Sequence, residues 1–252
     1  MVIRGDELLT KHLYIFSALF LITYSEFGIA QIFIFSGHSH DQNILARTQW
    51  ESRYVSEGRD NLDGAGIQTA IIDIEYGFFE LLLWNGWGYD SEYDELNIIP
   101  TLNYELNNFK AYLNYNRKQF FEDGESENDV GSGISYHGLP YDGFLGFDWY
   151  HSFEADGSFY KLSLGSNFVP VQKVSLAPIF IFGINNNYIS DGHDGANHIS
   201  LRLNGEYEIA KQFRLHGYIR YNIEIDSDPN SFAGDKLLSN FFWGGIGFEI
   251  TF

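Results

Sequence analysis

The chain has 252 residues, a formal net charge of −19 and no cysteine. This negative charge argues against sequence-independent nucleic-acid binding, which needs Lys and Arg to displace counterions from phosphates. The absence of cysteine excludes disulfides, thiolate catalysis and Cys-based zinc or iron–sulfur sites.

The composition indicates an all-β protein. Aromatic residues make up 18% of the chain, glycine occurs 26 times and methionine once. Flat rings pack well on pleated strands, and glycine supplies turns. The length suits a single domain.

The N-terminal segment has the layout of a signal peptide. Arg4 and Lys11 precede an apolar run at 13–22, and Gly28 and Ala30 place small residues three and one positions before a cut. The apolar run is about ten residues long, short of the ~20 that a membrane-spanning helix needs. We therefore predict a cleaved signal peptide over residues 1–30, with an uncleaved anchor as the alternative.

From Trp50 onward, strand-like segments alternate with clusters of Gly, Asp, Asn and Ser. In the clearest segment, Leu201 and Leu203 share an apolar face, while Arg202 and Asn204 lie on a polar one. A period of two is typical of strands. Twelve strands are predicted, near residues 46–57, 65–76, 78–88, 94–105, 108–120, 130–138, 143–153, 158–167, 173–184, 197–209, 212–225 and 240–252. Ten is the alternative, if the glycine-rich sixth segment and a neighbour are loops.

Such strands fit either a soluble two-sheet sandwich, whose apolar faces share a core, or a membrane barrel, whose apolar face meets lipid. Segments of about 11 residues at ~3.3 Å each, tilted by ~40°, cover the ~25 Å apolar band of a membrane barrel. Connections alternate between tight turns and long acidic loops, as in outer-membrane barrels. We therefore predict an all-β fold, a single antiparallel up-and-down transmembrane β-barrel over residues 46–252. It would lie in a bacterial-type outer membrane, in contact with its lipids, behind a periplasmic leader at 31–45.

Two predicted strands have distinctive features. The third, 78–88, is apolar on both faces, so we expect its inward residues to plug or constrict the lumen. In the last strand, Phe248, Ile250 and Phe252 share one face, and Phe252 is the final residue. This resembles the terminal strand of bacterial outer-membrane proteins, whose last Phe is part of what the assembly machinery reads. The resemblance implies barrel-assembly machinery as a partner and these three residues as the assembly signal.

The start of the predicted barrel contains Ser52, Tyr54 and Gly58 in a Ser-x-Tyr-x-x-x-Gly spacing. This stretch resembles the opening of the TorF-type porin family. The resemblance covers the opening strands and the last one, and it departs from the family where Glu57 stands in place of the usual Arg. It implies a small porin and names no substrate.

Several polar residues gather in one predicted loop: Ser190, Asp191, His193, Asp194, Asn197 and His198. Ser, His and a carboxylate could serve nucleophilic catalysis in a lipid-hydrolysing barrel, but geometry rather than proximity defines a triad. A solvated turn is the simpler interpretation, both here and for metal binding by these residues or by His38, His40 and Asp41. We predict no catalytic residue, no metal site and no cofactor.

Acidic residues are concentrated in two predicted loops that would rim the outer mouth of the barrel. They are Asp90, Glu92, Asp94 and Glu95 in one loop, and Glu122, Asp123, Glu125 and Glu127 in the other. These runs lack the regular spacing of a calcium loop, so hydrated loops are the simpler interpretation. Sharing of divalent cations with anionic lipid heads is the alternative.

Charged residues of both signs fall on the predicted inner face of the strands. The candidates for the lumen and for selectivity are Lys110, Asp148, Lys161, Arg202, Glu206, Arg214, Arg220 and Glu224. Such a set either lines a narrow channel or forms a charge network that fills the barrel. If the arginines pair with Glu206, Glu208 and Glu224, the acidic mouth should give a weak preference for cations.

The leading hypothesis is an outer-membrane channel for passive diffusion of small hydrophilic solutes or ions. The alternatives are a non-channel barrel, either a surface-lipid hydrolase or a structural or adhesive protein, and a secreted carbohydrate-binding β-sandwich. The sequence gives no basis for predicting the oligomeric state.

Overall fold

Twelve long antiparallel strands form one sheet that closes on itself in the computed structural model of the chain. The structure describes residues 43–89 and 91–252. The predicted signal peptide and the first part of the predicted leader lie outside the described residues.

The strands, in chain order, are β1 (Asn43–Glu51), β2 (Val55–Ser56), β3 (Arg59–Asp60), β4 (Ile67–Tyr76), β5 (Phe79–Gly88), β6 (Asp94–Leu106), β7 (Phe109–Phe120), β8 (Ser126–Leu139), β9 (Gly143–Ser152), β10 (Gly157–Ser166), β11 (Phe168–Val171), β12 (Val174–Asn186), β13 (Gly195–Ala210), β14 (Phe213–Glu224) and β15 (Phe241–Thr251). A single-turn 3₁₀ helix spans Ala233–Lys236. Strands β2 and β3 form a separate short hairpin, and β11 extends the hairpin that joins β10 to β12. The other strands build the wall.

The wall closes because β1 pairs with β15 on one side and with β4 on the other. Each remaining wall strand pairs with its neighbours along the chain, which is the up-and-down order. The predicted twelve-stranded barrel is therefore confirmed, and the ten-stranded alternative is wrong.

The glycine-rich sixth wall strand, β8, is a full strand because its glycines make room for neighbouring side chains. A Cβ on Gly133 would stand 2.4 Å from the ring of Tyr112 and 2.6 Å from the carboxylate of Asp148. The disorder that glycine brings to a strand is thus offset by packing with β7 and β9. The strand begins at Ser126, four residues before the predicted start at 130.

The two ends of the barrel differ. One end, called the turn end, carries the two chain ends of the barrel and short turns at 77–78, 107–108, 140–142, 172–173 and 211–212. The other, called the loop end, carries the longer connections at 52–66, 89–93, 121–125, 153–156, 187–194 and 225–240.

The first strand differs from its prediction. It begins at Asn43 rather than at 46, and it ends at Glu51 rather than at 57. The ladder with β15 ends at Ser52. The Ser52 N–H still donates to the carbonyl of Gly244 (2.9 Å), but the N–H of Gly244 donates to the Ser52 hydroxyl (3.1 Å) rather than to its carbonyl.

Burial is inverted relative to a water-soluble protein. Ile219 and Phe248 are 63% and 58% exposed, whereas the adjacent Tyr218 and Glu249 are 5% and 6% exposed. Since successive strand residues point to opposite faces, the outer face is apolar and the inner face is polar. This arrangement excludes the secreted sandwich, whose apolar faces would lie inside.

No helix within the described residues is long and apolar enough to cross a membrane.

One part of the inner face is apolar. Ile67, Ile71, Leu82 and Trp84 are buried together on the inner face of β4 and β5. Tyr54, which has left the wall, packs against them. The third predicted strand thus contributes inward apolar residues, Leu82 and Trp84, to a cluster inside the barrel.

Candidate functional site

The barrel interior gathers most of the charged residues that the sequence placed in the lumen. Lys110 pairs with Glu105 (2.6 Å) and Lys161 with Asp148 (3.2 Å), in each case across neighbouring strands. Neighbouring strands place such side chains about 5 Å apart at their Cβ atoms, so opposite charges there attract. These pairs hold part of the inner wall in a fixed arrangement.

Two larger ion networks lie at different heights of the inner wall. At the turn end, Glu249 accepts from Arg47 (2.6 Å) and from Arg214 (2.7 Å). Nearer the loop end, Lys118 lies 2.8 Å from Asp129 and 3.0 Å from Glu127. The first network has more cations than acids, and the second has more acids than cations.

Arg202 and Arg220 lie directly opposite each other on β13 and β14. Like charges in such a pair repel. Here the Arg202 guanidinium lies 4.3 Å from the centroid of the Tyr218 ring, and that of Arg220 lies 4.6 Å from the Trp243 ring. Ring faces attract cations, which compensates part of the repulsion.

The carboxylates near the inward arginines differ in their partners. Arg214 pairs with Glu249 on β15 rather than with Glu206 or Glu208. Glu224, at the end of β14, accepts a hydrogen bond from Asn240 (3.2 Å).

Acids dominate the opposite side of the inner wall. Asp73, Glu75 and Glu80 lie on β4 and β5 toward the turn end. Glu75 accepts from Asn43 (3.1 Å) and Glu80 from Asn103 (2.7 Å), so amides rather than cations hold these two carboxylates. The interior is therefore acidic on one side and basic on the other.

A short hairpin folds from the wall into the loop end of the barrel. We call residues 52–60, which include β2 and β3, the mouth hairpin. Its turn consists of Glu57 and Gly58, with φ of +47° and +79°. Two consecutive positive φ values are the requirement of a type I′ turn, which glycine meets without strain. A Cβ on Gly58 would also stand 2.5 Å from the His198 ring, so the hairpin can approach β13 only with glycine there.

The mouth hairpin is anchored on two sides of the barrel. On one side, the Tyr54 hydroxyl donates to the carboxylate of Glu95 (2.7 Å), which is buried on the inner face of β6. Tyr93 and Asn97 also donate to Glu95. Between the anchors, Val55 packs on a cluster that includes Trp243. These contacts hold the first half of the hairpin against the wall.

On the far side, Arg59 provides the second anchor and is only 2% exposed. Its guanidinium donates to the carboxylate of Asp235 (3.0 Å), the side-chain oxygen of Asn197 (2.7 Å) and the carbonyl of Gly234 (3.0 Å). The mouth hairpin is thereby joined to β13 and to the 225–240 loop, and it lies across the loop end.

His193 also belongs to this second anchor. Its Nδ1 lies 2.7 Å from the Asp235 carboxylate, and its Nε2 lies 2.9 Å from the carbonyl of Ala196. Both ring nitrogens are therefore engaged, and neither contacts the hydroxyl of Ser190. The predicted loop cluster is thus a packed loop, and no group of three or more His, Asp or Glu is arranged to hold a metal ion in the part of the chain that the structure describes.

Burial shifts the pKa values of acidic and basic groups at the mouth in opposite directions. Burial raises the pKa of Glu57, an effect opposed by the Ser56 hydroxyl and by nearby Lys118. Burial also raises the pKa of Asp235, but hydrogen bonds from the Asp228 N–H and from His193 outweigh it and hold that pKa below its ordinary value. Burial lowers the pKa of Arg59, and the Asp235 carboxylate opposes this shift.

The predicted acidic mouth loops are only partly loops. Glu92, Glu122, Asp123 and Glu125 are exposed in loops, as expected. In contrast, Asp94 and Glu95 lie in β6, which begins at the predicted residue 94, and Glu127 lies in β8, which begins before its predicted start. Asp90 lies outside the described residues.

The predicted assembly residues are on the outer face. Phe248 and Phe252 are exposed, and Ile250 shares their face by alternation along β15. The N–H of Phe252 donates to the carbonyl of Ile44 (2.9 Å), so the last residue contacts the first strand.

Sequence reasoning missed the mouth hairpin. The stretch was assigned to the end of the first strand, although Gly58 is a residue that readily adopts the positive φ of a turn. Gly58 could have located the turn. It could not have shown that the hairpin folds inward, because its partners lie far away along the chain.

Solved structures with a similar fold are outer-membrane porins and channels. The KdgM porin in complex with disordered oligogalacturonate is 8% identical, with 83% of this chain and 99% of that chain covered and a TM-score of 0.56. The NanC porin is 8% identical, with coverages of 82% and 98% and a TM-score of 0.55. An outer membrane channel from Pseudomonas putida F1 is 11% identical, with coverages of 86% and 97% and a TM-score of 0.57. At these identities the likeness shows the fold. No protein-family model and no curated protein matches the sequence.

Proposed function

We propose that the chain is an outer-membrane channel for passive diffusion of small hydrophilic solutes or ions. One observation carries the proposal: a closed barrel with an apolar outer face encloses an inner wall of charged and polar side chains. The apolar outer face is suited to contact with lipid, and the polar inner face is suited to contact with water. Twelve strands lie between the eight that side chains fill and the sixteen of open porins, which suits a narrow pore.

The charge of the inner wall supports a preference for cations or neutral solutes. The inward bases are Arg47, Lys110, Lys118, Lys161, Arg202, Arg214 and Arg220. The inward acids are more numerous: Glu51, Asp73, Glu75, Glu80, Glu95, Glu105, Glu127, Asp129, Asp148, Glu206 and Glu249. A net negative wall attracts cations and repels anions.

This charge balance argues against transferring the ligand of a structural neighbour. The KdgM porin structure is a complex with oligogalacturonate, a polyanion. A polyanion passing through this barrel would meet the acids of β4 to β6 as well as the arginines of β13 and β14. We therefore propose small solutes without multiple negative charges.

The proposed location determines the orientation. The turn end would face the periplasm and the loop end the outside, as short and long connections do in such barrels. We further propose export by the signal peptide over residues 1–30, membership of the TorF-type porins, and recognition of Phe248, Ile250 and Phe252 by the assembly machinery. Outer-membrane lipids would contact the outer face.

Conductance of the purified chain in a planar lipid bilayer tests the proposal. We expect stepwise current increases on insertion, and a reversal potential under a KCl gradient that indicates weak cation selectivity. The same preparation unfolded before addition is the control. Insertion without current, verified by protease protection of the barrel in vesicles, would contradict the channel.

A second candidate is a non-channel barrel that displays its loops outside the cell. The observation that favours it is the packing of the loop end, where Arg59 and Asp235 are almost fully buried by three loops. The bilayer measurement distinguishes the two candidates.

A further inference from the structure

The Ser-x-Tyr-x-x-x-Gly residues each position the mouth hairpin. Ser52 makes two hydrogen bonds to the backbone of Gly244 on β15, and Tyr54 donates to Glu95 on β6. Gly58 supplies the positive φ of the turn and fits against the His198 ring. Three contacts to three different strands fix where the turn lies. Together, Ser52, Tyr54 and Gly58 therefore place residue 57 inside the barrel.

Residue 57 is an acid at the tip of this hairpin. Its backbone carbonyl accepts from Asn197 on β13, so the tip is held against the wall from that side. The Glu57 side chain is half-buried, so part of it remains accessible inside the mouth. The charged groups within electrostatic reach are Lys118, Asp129 and Arg59, and the Tyr150 and Tyr188 hydroxyls face the same space.

Both cations near Glu57 are already paired with other carboxylates. Lys118 already contacts two carboxylates, those of Glu127 and Asp129. Arg59 is paired with Asp235. Glu57 therefore adds a negative charge to a group of existing ion pairs. This charge lies at the loop end, where the mouth hairpin folds into the barrel.

We propose that Glu57 is the principal charge-selecting residue of the pore, an inference that rests on the proposed channel function. The mouth hairpin lies across the loop end, between contacts to β6, β13 and β15, so we expect a permeating ion to pass near its tip. The acids of the exposed loops lie outside and are screened over a Debye length of ~8 Å at physiological salt. Glu57 favours entry of cations.

Cysteine chemistry tests this inference, because the chain has no cysteine of its own. Glu57→Cys is inserted in a planar bilayer and modified with a methanethiosulfonate reagent that carries either a sulfonate or a trimethylammonium group. We expect Glu57→Cys to lower the cation-to-anion permeability ratio by about fivefold, the Coulomb effect of one charge on ions passing ~8 Å away in water. The sulfonate reagent should restore the ratio, and the trimethylammonium reagent should lower it further.

Glu92→Cys is the matched control, since Glu92 is an exposed acid in a loop of the same end. Glu92→Cys and its modification should change the cation-to-anion permeability ratio less than twofold, and this change should vanish at high salt. Glu57→Gln, which keeps the shape of the side chain, should reproduce the effect of Glu57→Cys.

The outcomes separate the inference from the proposed function. An absence of current in the unmodified chain would remove the channel itself. A conducting chain in which Glu57→Gln and both reagents leave the reversal potential unchanged, with the label confirmed by mass spectrometry, would overturn the role of Glu57 alone. Equal effects at positions 57 and 92 would overturn it as well.

Discussion

The Arg59 guanidinium and the Asp235 carboxylate form an ion pair of 3.0 Å, although 176 residues separate them along the chain and both are almost fully buried. Asp235 also accepts from the backbone N–H of Asp228 (3.0 Å) and from His193. Desolvation of two charges is costly, and good geometry with further hydrogen bonds compensates for it. The pair therefore connects the mouth hairpin to the 225–240 and 187–194 loops.

We expect Asp235→Asn to loosen all three loops, because it leaves Arg59 as a buried charge without its partner. Breaking a buried pair costs about 3 to 5 kcal/mol. Limited proteolysis of the folded barrel in detergent should show faster cleavage in the 225–240 loop. Asp228→Asn is the control, since that half-buried carboxylate accepts hydrogen bonds from Asn230 and Ser231 of its own loop. Equal cleavage of the two variants would contradict the role of the pair.

Tyr54→Phe should weaken the opposite anchor of the mouth hairpin. The variant removes the hydrogen bond to Glu95 while keeping the ring that packs with Trp84. A hydrogen bond to a charged group contributes about 1.5 to 3 kcal/mol, and Tyr93 and Asn97 still hold Glu95, so we expect the lower part of that range. Denaturant unfolding in lipid vesicles measures the loss. Tyr104→Phe, on the exposed outer face, should leave stability unchanged; an equal loss there would count against the anchor.

Adjacent residues of β10 test the two faces of the wall. Leu162 is exposed on the outer face, whereas Ser163 lies inside opposite Gly146 and Ile181. An arginine facing lipid near mid-membrane costs about 2 to 4 kcal/mol. We therefore expect Leu162→Arg to lower the unfolding free energy in vesicles by that amount and Ser163→Arg to be tolerated. Equal losses would contradict the outward assignment of the apolar face.

Acidification should change selectivity before it loosens the loops. Burial raises the pKa of Glu57 above its ordinary 4.5, so its charge is lost as pH falls through that raised value. The protonated form is the one favoured by folding, so this step does not destabilise the hairpin. The pKa of Asp235 is held below its ordinary 3.8, so the stability it contributes is present above 3.8 and is lost only at lower pH.

Reversal potentials and proteolysis measured from pH 7 to pH 3 check this order. Cation preference should decline at a pH above 4.5, while the 225–240 loop stays resistant to protease. The charged groups that face Glu57 are Lys118, Asp129 and Arg59. Burial raises the pKa of the Tyr188 hydroxyl, so that group stays neutral over this range. Loosening of the loop before the selectivity changes would contradict the assignment.

The alternating strands were predictable because their period does not depend on the solvent. Leu201 and Leu203 alternate with Arg202 and Asn204 whether the apolar face meets lipid or a protein core. The length of the strands and the asymmetry of the connections then favoured a membrane barrel. The closed sheet confirms that fold, and the inward positions of Lys110, Asp148 and Lys161 follow from the same alternation.

The contacts of the site were not predictable, because they join distant parts of the chain. Choosing Glu249 as the partner of Arg214 requires the register between β14 and β15. The inward fold of the mouth hairpin requires Asn197 and Asp235, which local patterns near Arg59 do not reveal. Sequence periodicity predicts which face of the sheet a residue lies on. Predicting an ion pair also requires the register between the two strands, which sets the height of each residue in the barrel.

The attachment of Ser52 to Gly244 sets the order in which the barrel can be completed. Gly244 belongs to β15, the last strand, and Asp235 lies in the loop that precedes it. The mouth hairpin therefore lacks two of its attachment points until that part of the chain has folded. We expect the mouth hairpin to reach its final position only when β15 joins β1.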